Sequence, residues 1–183
     1  ATFVSKMTCL IRSPVSVRVA AVPFQLQVMA LESRSWMLAR VVALTTAALQ
    51  GLRPELVAEF STPQLTALST GQLNSLSDAQ FAGFTTTQVA ALSTAQVASL
   101  STDQIVGLTA AHASALTTAQ VVSLTTTQAA KLTTASVAAL SATQVAAMQT
   151  ADLVKLSTDA VTALSSSAVS AVTTSQIAAL TTA

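Results

Sequence analysis

The sequence has little charge, few aromatic residues and a single cysteine. Of its 183 residues, 8% are charged and 3% aromatic, with one Cys, one His and no Tyr. One cysteine excludes an intramolecular disulfide scaffold, and so few Cys and His residues argue against a multi-ligand zinc site. A formal net charge of +1 does not favour nucleic-acid binding. A hydrophobic content of 51% excludes disorder of the highly charged, weakly hydrophobic kind.

An eight-residue repeat occupies most of the chain. From Ser61 to Leu180 the sequence divides without a gap into 15 octads, such as TTTQVAAL and STAQVASL. Slot one is Ser or Thr in 14 octads, slot four is Gln in 10, and slots five and eight are apolar in all 15. Slot seven is Ala, Ser or Gly in 13 octads. Weaker octads carry the register back to residue 37. We therefore predict a non-repetitive basic segment, 1–36, and an octad array, 37–183, which is degenerate over 37–60 and regular over 61–180.

Each octad has the pattern of one very short helix. A continuous helix would turn about 80° too far per octad, so its apolar face would spiral around the axis. A strand requires a period of two, whereas slots five and eight are three apart. Ser or Thr followed three residues later by Gln is a capping box, and the apolar slots flanking it form a hydrophobic staple. The sequence predicts an all-α fold, a tight solenoid of very short helices with one helix per octad.

The sparse charges follow the polarity of such helices. Acids cluster in the first turn and bases in the last turn, as the helix dipole favours. Asp152 and Asp159 are therefore interpreted as surface acids near helix N-termini, not as a catalytic acid pair. One octad buries too little surface to fold alone, so neighbouring octads must stack on one another. Handedness and the number of octads per superhelical turn stay open. The acids of the regular octads are Asp78, Asp103, Asp152 and Asp159, and the bases are Lys131 and Lys155.

No residue pattern predicts a reaction, so we expect no catalytic, cofactor-binding or metal site and no enzyme. His112 takes the place of Gln in slot four and is interpreted as a neutral capping imidazole, not as a metal or haem ligand. Cys9 has no His or acid near it in sequence and is interpreted as a free thiol. A serine triad needs a positioned base, and His112 is the only histidine.

The first 36 residues do not repeat. They carry four bases and one acid, and the apolar stretch 15–31 is broken by Arg18 and Pro23. That makes a poor transmembrane span, and no clean signal-peptide pattern follows. We interpret the segment as a cap or an irregular terminus, with Phe24 and Trp36 shielding the first octad.

Hydroxyl groups are the one repeated polar feature of the array. If the solenoid is regular, slots one and two present a ladder of hydroxyls along one edge, and capping occupies those of slot one. The slot-two hydroxyls either remain solvated or serve in glycosylation, surface binding or ice binding. The candidate ladder residues are Thr86, Thr94, Thr102, Thr118, Thr126 and Thr134.

The octad Thr-Thr-x-Gln-Val-Ala-Ala-Leu resembles repeat arrays of large bacterial surface proteins that are often labelled haem utilisation or adhesion proteins. The resemblance covers about residues 37–183 and implies a cell-surface or secreted location. Haem binding does not carry over, because only His112 could ligate iron. The stretch 116–122 also looks like the first helix of DNA-reading TAL-effector repeats, but their base-reading glycine loop is absent and we reject that reading.

The leading functional hypothesis is a structural spacer, stalk or adhesive segment of a bacterial surface or secreted protein. The alternatives are a binding module that uses the hydroxyl ladder for a glycan, a surface or ice, and a self-assembling filament subunit. Because an uncapped solenoid exposes core at its ends, we expect end-to-end self-association. We expect no nucleic-acid partner, no cofactor and no transmembrane span.

Overall fold

A computed structural model describes residues 43–182, with backbone only at residues 181 and 182. Within this range seventeen helices of four to nine residues follow one another, and no strand is present. The predicted all-α class with one short helix per octad is confirmed. The helices are α1 (Thr46–Gln50), α2 (Pro54–Ala58), α3 (Thr62–Ala67), α4 (Thr70–Asn74), α5 (Asp78–Ala82), α6 (Thr86–Ala91), α7 (Thr94–Ser99), α8 (Thr102–Val106), α9 (Ala110–Ala115), α10 (Thr118–Val122), α11 (Thr126–Ala129), α12 (Thr134–Ala138), α13 (Ala142–Ala147), α14 (Thr150–Leu153), α15 (Thr158–Thr162), α16 (Ser166–Ser170) and α17 (Thr174–Thr182).

Each helix begins at the residue after slot one. In α6 the Thr85 hydroxyl accepts a hydrogen bond from the Gln88 backbone N–H at 3.2 Å, and the Thr85 N–H donates to Gln88 Oε1 at 2.7 Å. These two bonds are the predicted capping box. Capping boxes are present in α3 to α11 and in α13, and Thr173 and Gln176 make the same two bonds at the start of α17.

Each octad contains the same two backbone hydrogen bonds. The slot-five N–H donates to the slot-one carbonyl, and the slot-eight N–H donates to the slot-five carbonyl, as Val121 does to Thr117 and Leu124 does to Val121. The chain then becomes extended at slot one of the next octad, where Thr125 has φ −81° and ψ 156°. No described residue has a positive φ, so the break needs no glycine.

The helices stack at a fixed spacing. Every packed pair in the described range is three helices apart, from α1 against α4 to α14 against α17. Side-chain amides bond to the octad four positions earlier, as shown below. One superhelical turn therefore comprises between three and four octads, a number that the sequence left open.

Slot seven lies where stacked octads come close. A Cβ added at Gly83 would lie 3.5 Å from the carbonyl oxygen of Pro54, and one added at Gly107 would lie 4.0 Å from that of Asp78. Each carbonyl belongs to slot two, three octads earlier. The contact explains the preference for Ala, Ser or Gly at this slot.

The core is a row of slot-five and slot-eight side chains. Both slots are buried in every octad from Ser61 to Leu156, with Ala in slot five at Ala113 and Ala129. Phe81 and Phe84 fill these slots in one octad, with ring centroids 5.1 Å apart. The core is therefore continuous along the described array.

The predicted segment 1–36, with Cys9, Phe24 and Trp36, lies outside the described residues, as do 37–42. Two degenerate octads, 45–52 and 53–60, form α1 and α2. None of the helices described here is long and apolar enough to cross a membrane.

Candidate functional site: the slot-four amides and the threonine surface

The Gln120 side chain joins two turns of the superhelix. Its Oε1 accepts from the Thr117 N–H at 2.7 Å, which closes the local capping box. Its Nε2 donates to the carbonyl oxygens of Val89 at 2.9 Å and Leu92 at 2.7 Å, in the octad four positions earlier. The side chain is 1% exposed. One buried amide thus caps its own helix and binds the end of another.

The same pair of contacts recurs through the array. A slot-four Nε2 donates to the slot-five carbonyl 31 residues earlier and to the slot-eight carbonyl 28 residues earlier, at 2.6–3.1 Å. We call the glutamine side chains that make these contacts the slot-four amides. Those making both bonds are Gln80, Gln96, Gln104, Gln120, Gln128, Gln144 and Gln176.

These bonds supply side-chain donors to the carbonyls near the ends of the short helices. The last carbonyls of a helix have no intrahelical donor, and a five-residue helix consists almost entirely of ends. The Val89 carbonyl accepts from the Leu92 N–H at 3.2 Å and from Gln120 Nε2 at 2.9 Å. Buried carbonyls without a donor are costly, so the slot-four amides stabilise the contact between turns, although the octads with Ala160 and Ala168 in slot four form helices without one.

Two other slot-four side chains preserve the contact. His112 Nε2 lies 2.7 Å from the carbonyl oxygen of Phe84, and the Ser136 hydroxyl donates to that of Leu108 at 2.8 Å. Both partners lie 28 residues earlier. The Thr109 backbone N–H donates to His112 Nδ1 at 3.4 Å, and the His112 backbone N–H donates to Thr109 Oγ1 at 3.2 Å. The prediction of a capping imidazole is confirmed, and the contact with Phe84 orients its other ring nitrogen.

Asp152 is the exception among the polar slot-four residues. Its side chain is 2% exposed, and its Oδ2 is buried without a hydrogen-bond partner. Burial raises the pKa of this carboxyl. Interpreting Asp152 as a surface acid was wrong, because slot four faces the preceding turn. Asp159, in slot three, is exposed as expected.

The octad pattern did not lead us to predict the hydrogen bonds that slot four makes to the preceding turn. A capping box accepts Glu as readily as Gln, yet no regular octad has Glu in slot four. Both side chains carry a capping oxygen, but only Gln also carries a donor. The preference for Gln over Glu was the available signal that slot four commonly donates a hydrogen bond.

The predicted threonine ladder is distributed over several faces. Thr94 and Thr118 lie on the packed helices α7 and α10, and Thr102 and Thr126 on α8 and α11. Thr86 and Thr134 lie on α6 and α12, which both pack against α9, where slot two is Ala110. Five of the six are exposed and Thr102 is half-buried. Consecutive octads do not pack together in the described range, so neighbouring threonines come from octads three apart.

Other candidate residues are dispersed. Across residues 43–182 no group of three or more His, Cys, Asp or Glu side chains is placed to hold a metal ion. Lys131 and Lys155 are exposed in slot seven.

A comparison with protein families supports the repeat assignment. A family model described as the ALTTAQ repeat matches residues 57–94, 89–118 and 145–182, which together cover more than half of the chain. The matched segments contain eleven of the seventeen described helices in full and parts of three more. No curated protein and no solved structure matches the chain.

Proposed function

The chain belongs to the ALTTAQ repeat family, and from this premise we propose that it is a structural spacer or stalk, with no catalytic role, in a bacterial surface or secreted protein. The uninterrupted stacking of octads carries the proposal. Each helix packs against helices three positions away, and its slot-four amide bonds to the octad four positions earlier, so adding octads adds further turns built from the same contacts. The resemblance to arrays of bacterial surface proteins supports the location and an adhesive role.

A spacer must lengthen by a fixed step when octads are added. We propose to insert a copy of residues 93–124 after Leu124 and to label T70C and T158C, with C9S removing the native thiol. Both label positions are exposed. Four octads amount to slightly more than one turn, so the label distance should rise by about 10 Å, the separation of packed helices. Double electron–electron resonance measures it.

A matched label pair controls for rearrangement. With labels at T70C and T118C, both before the insertion, the distance should stay unchanged. An unchanged distance between T70C and T158C, or a broad distribution like that of the denatured chain, would overturn the spacer proposal.

A second candidate is a binding surface of slot-two hydroxyls. Among the described residues these hydroxyls make no hydrogen bond to the protein, so they are available to a ligand. Thr94 and Thr118, on packed helices, form the smallest unit of such a surface. Ice is the simplest probe, because partition into a slowly growing ice phase needs no identified ligand.

The test compares T94A/T118A with T87A/T127A, which removes two exposed slot-three hydroxyls. If the slot-two surface binds ice, only the first variant loses partition while both keep the parental melting temperature. Exclusion of the parental chain from ice would reject ice as the ligand, and equal loss in both variants would reject the slot-two surface.

A further inference from the structure

The octad 149–156 departs from the repeat at two linked slots. Gln149 replaces the Ser or Thr of slot one, and Asp152 replaces the Gln of slot four. Helix α14 therefore has no side-chain cap at its N-terminus. Gln149 Nε2 instead donates to the carbonyl oxygen of Val122 at 2.7 Å, in the octad four positions earlier. A cross-turn amide is thus kept, but it is displaced from slot four to the exposed slot one.

The Asp152 carboxyl occupies the position of a hydrogen-bond donor. The slot-four amides bond to the carbonyls 31 and 28 residues earlier. For Asp152 these are the carbonyls of Val121 and Leu124. An ionised carboxylate only accepts hydrogen bonds, whereas the protonated acid carries one O–H donor. Ser136 shows that a side chain shorter than Gln reaches across, since its hydroxyl bonds to Leu108 at 2.8 Å. The buried Oδ2 of Asp152 has no such partner.

Few charges surround this carboxyl. Helix α14 packs against α11 and α17 and lies one turn after the octad of α10. The only charged residue in those three octads is Lys131, and the octad of Asp152 itself adds Lys155. Both lysines are exposed in slot seven. Burial is the cause that raises the pKa of Asp152, and no cation compensates for the loss of solvation.

We propose that the octad 149–156 is an acid-responsive joint in the array: protonation of Asp152 supplies the missing slot-four donor and tightens α14 against the preceding turn, and ionisation loosens it. This goes beyond a spacer function, because it gives one octad a stability that follows pH. The other polar residues at slot four, Gln, His and Ser, can donate at neutral pH.

The direction follows from proton linkage. Because the pKa of Asp152 is raised in the folded chain, the folded state binds more protons than the unfolded state between the two pKa values. Asp152 therefore favours folding most at acidic pH, and this stability is lost as the pH rises through the folded-state pKa. Paired surface carboxylates act in the opposite direction.

Hydrogen exchange tests the joint on the full chain. Protection of the α14 amides, corrected for intrinsic exchange and divided by that of α10, should be higher at about pH 4.5 than at about pH 7. D152N restores a donor in the same shape. We expect it to raise α14 protection at neutral pH about fivefold, the equivalent of one hydrogen bond, and to abolish its pH dependence.

D159N is the matched control, because it neutralises an exposed acid in the next octad and should leave the pH dependence intact. D152Q restores the consensus side chain and should behave as D152N does. Equal relative protection of the parental chain at both pH values would overturn the proposal, as would a pH dependence that survives in D152N. Either result leaves the label distances that test the spacer unaffected.

Discussion

At the scale of the residue, the slot-four glutamine links two interactions that are usually made by separate groups. Its oxygen accepts from its own helix N-terminus, and its nitrogen donates to carbonyls one turn away. A carboxylate could replace the first interaction but not the second. Replacing the glutamine with glutamate therefore tests the cross-turn role of the side chain while keeping an oxygen for its local capping role.

We expect Q120E to destabilise the array by about 1–3 kcal/mol at neutral pH, because it leaves the carbonyls of Val89 and Leu92 without their side-chain donor and buries a charge. Urea denaturation measures the free energy of unfolding. T118E is the control, since it adds the same charge at an exposed position near the helix N-terminus, where the dipole favours it. Equal effects of the two variants would contradict the cross-turn role.

The sequence predicted the capping bond that the slot-four glutamine makes within its own octad. It did not predict the bonds that the same side chain makes to the preceding turn. Slot spacing determines which residues meet within an octad, since they are joined by three or four peptide bonds. It does not determine which octads meet across 28 or 31 residues. The same gap explains Asp152, whose place in the first turn predicted exposure although slot four faces the preceding turn.

At the scale of the element, the helices are too short to be stable alone. Isolated helices shorter than about 12 residues are marginal in water, and these have four to nine. Their start sites were predictable because the capping box acts within four residues. Even α2, which begins after Arg53 without a side-chain cap, forms at the predicted octad, since Pro54 suits the first helical position and Val57 is fully buried.

Helix stability in this array therefore comes from stacking. The slot-five side chains of the central octads are buried by later turns, and the slot-four amides bond to earlier ones. Each octad consequently needs neighbours on both sides. Because one pattern is repeated, every octad makes the same kind of stacking contacts with its neighbours. A weak octad such as 149–156 is therefore stabilised by the octads packed against it.

At the scale of the described array, a turn of between three and four octads prevents slot-two threonines of consecutive octads from forming one row. They form rows of octads three apart instead. The sequence predicted the hydroxyls and their exposure, but the arrangement of the rows depends on the superhelical turn. The number of octads per turn is set by packing between turns, and the eight-residue period alone does not determine that packing.

The two ends of the described array expose complementary surfaces. Near residue 180, slot five is uncovered, and Val169 and Ile177 are 53% and 51% exposed. In α2, the slot-four residue Leu56 is 51% exposed. Inside the array, slot five is covered by the octads of the following turn, and slot four faces the octads of the preceding one. We therefore expect a second copy to continue the stack by placing its slot-four face on an open slot-five face.

We expect the 183-residue chain to associate end to end as its concentration rises, and V169S/I177S and L56S each to weaken this association. The driving force is burial of the exposed aliphatic side chains, about 25 cal/mol per Å² of apolar surface. V106S/V122S is the control, because these valines are 48% and 40% exposed within the array and away from both faces. Sedimentation equilibrium measures the association constant. A monomer at all concentrations, or equal weakening by the control, would contradict stacking through the open octads, because the mid-array valines belong to no unfinished turn.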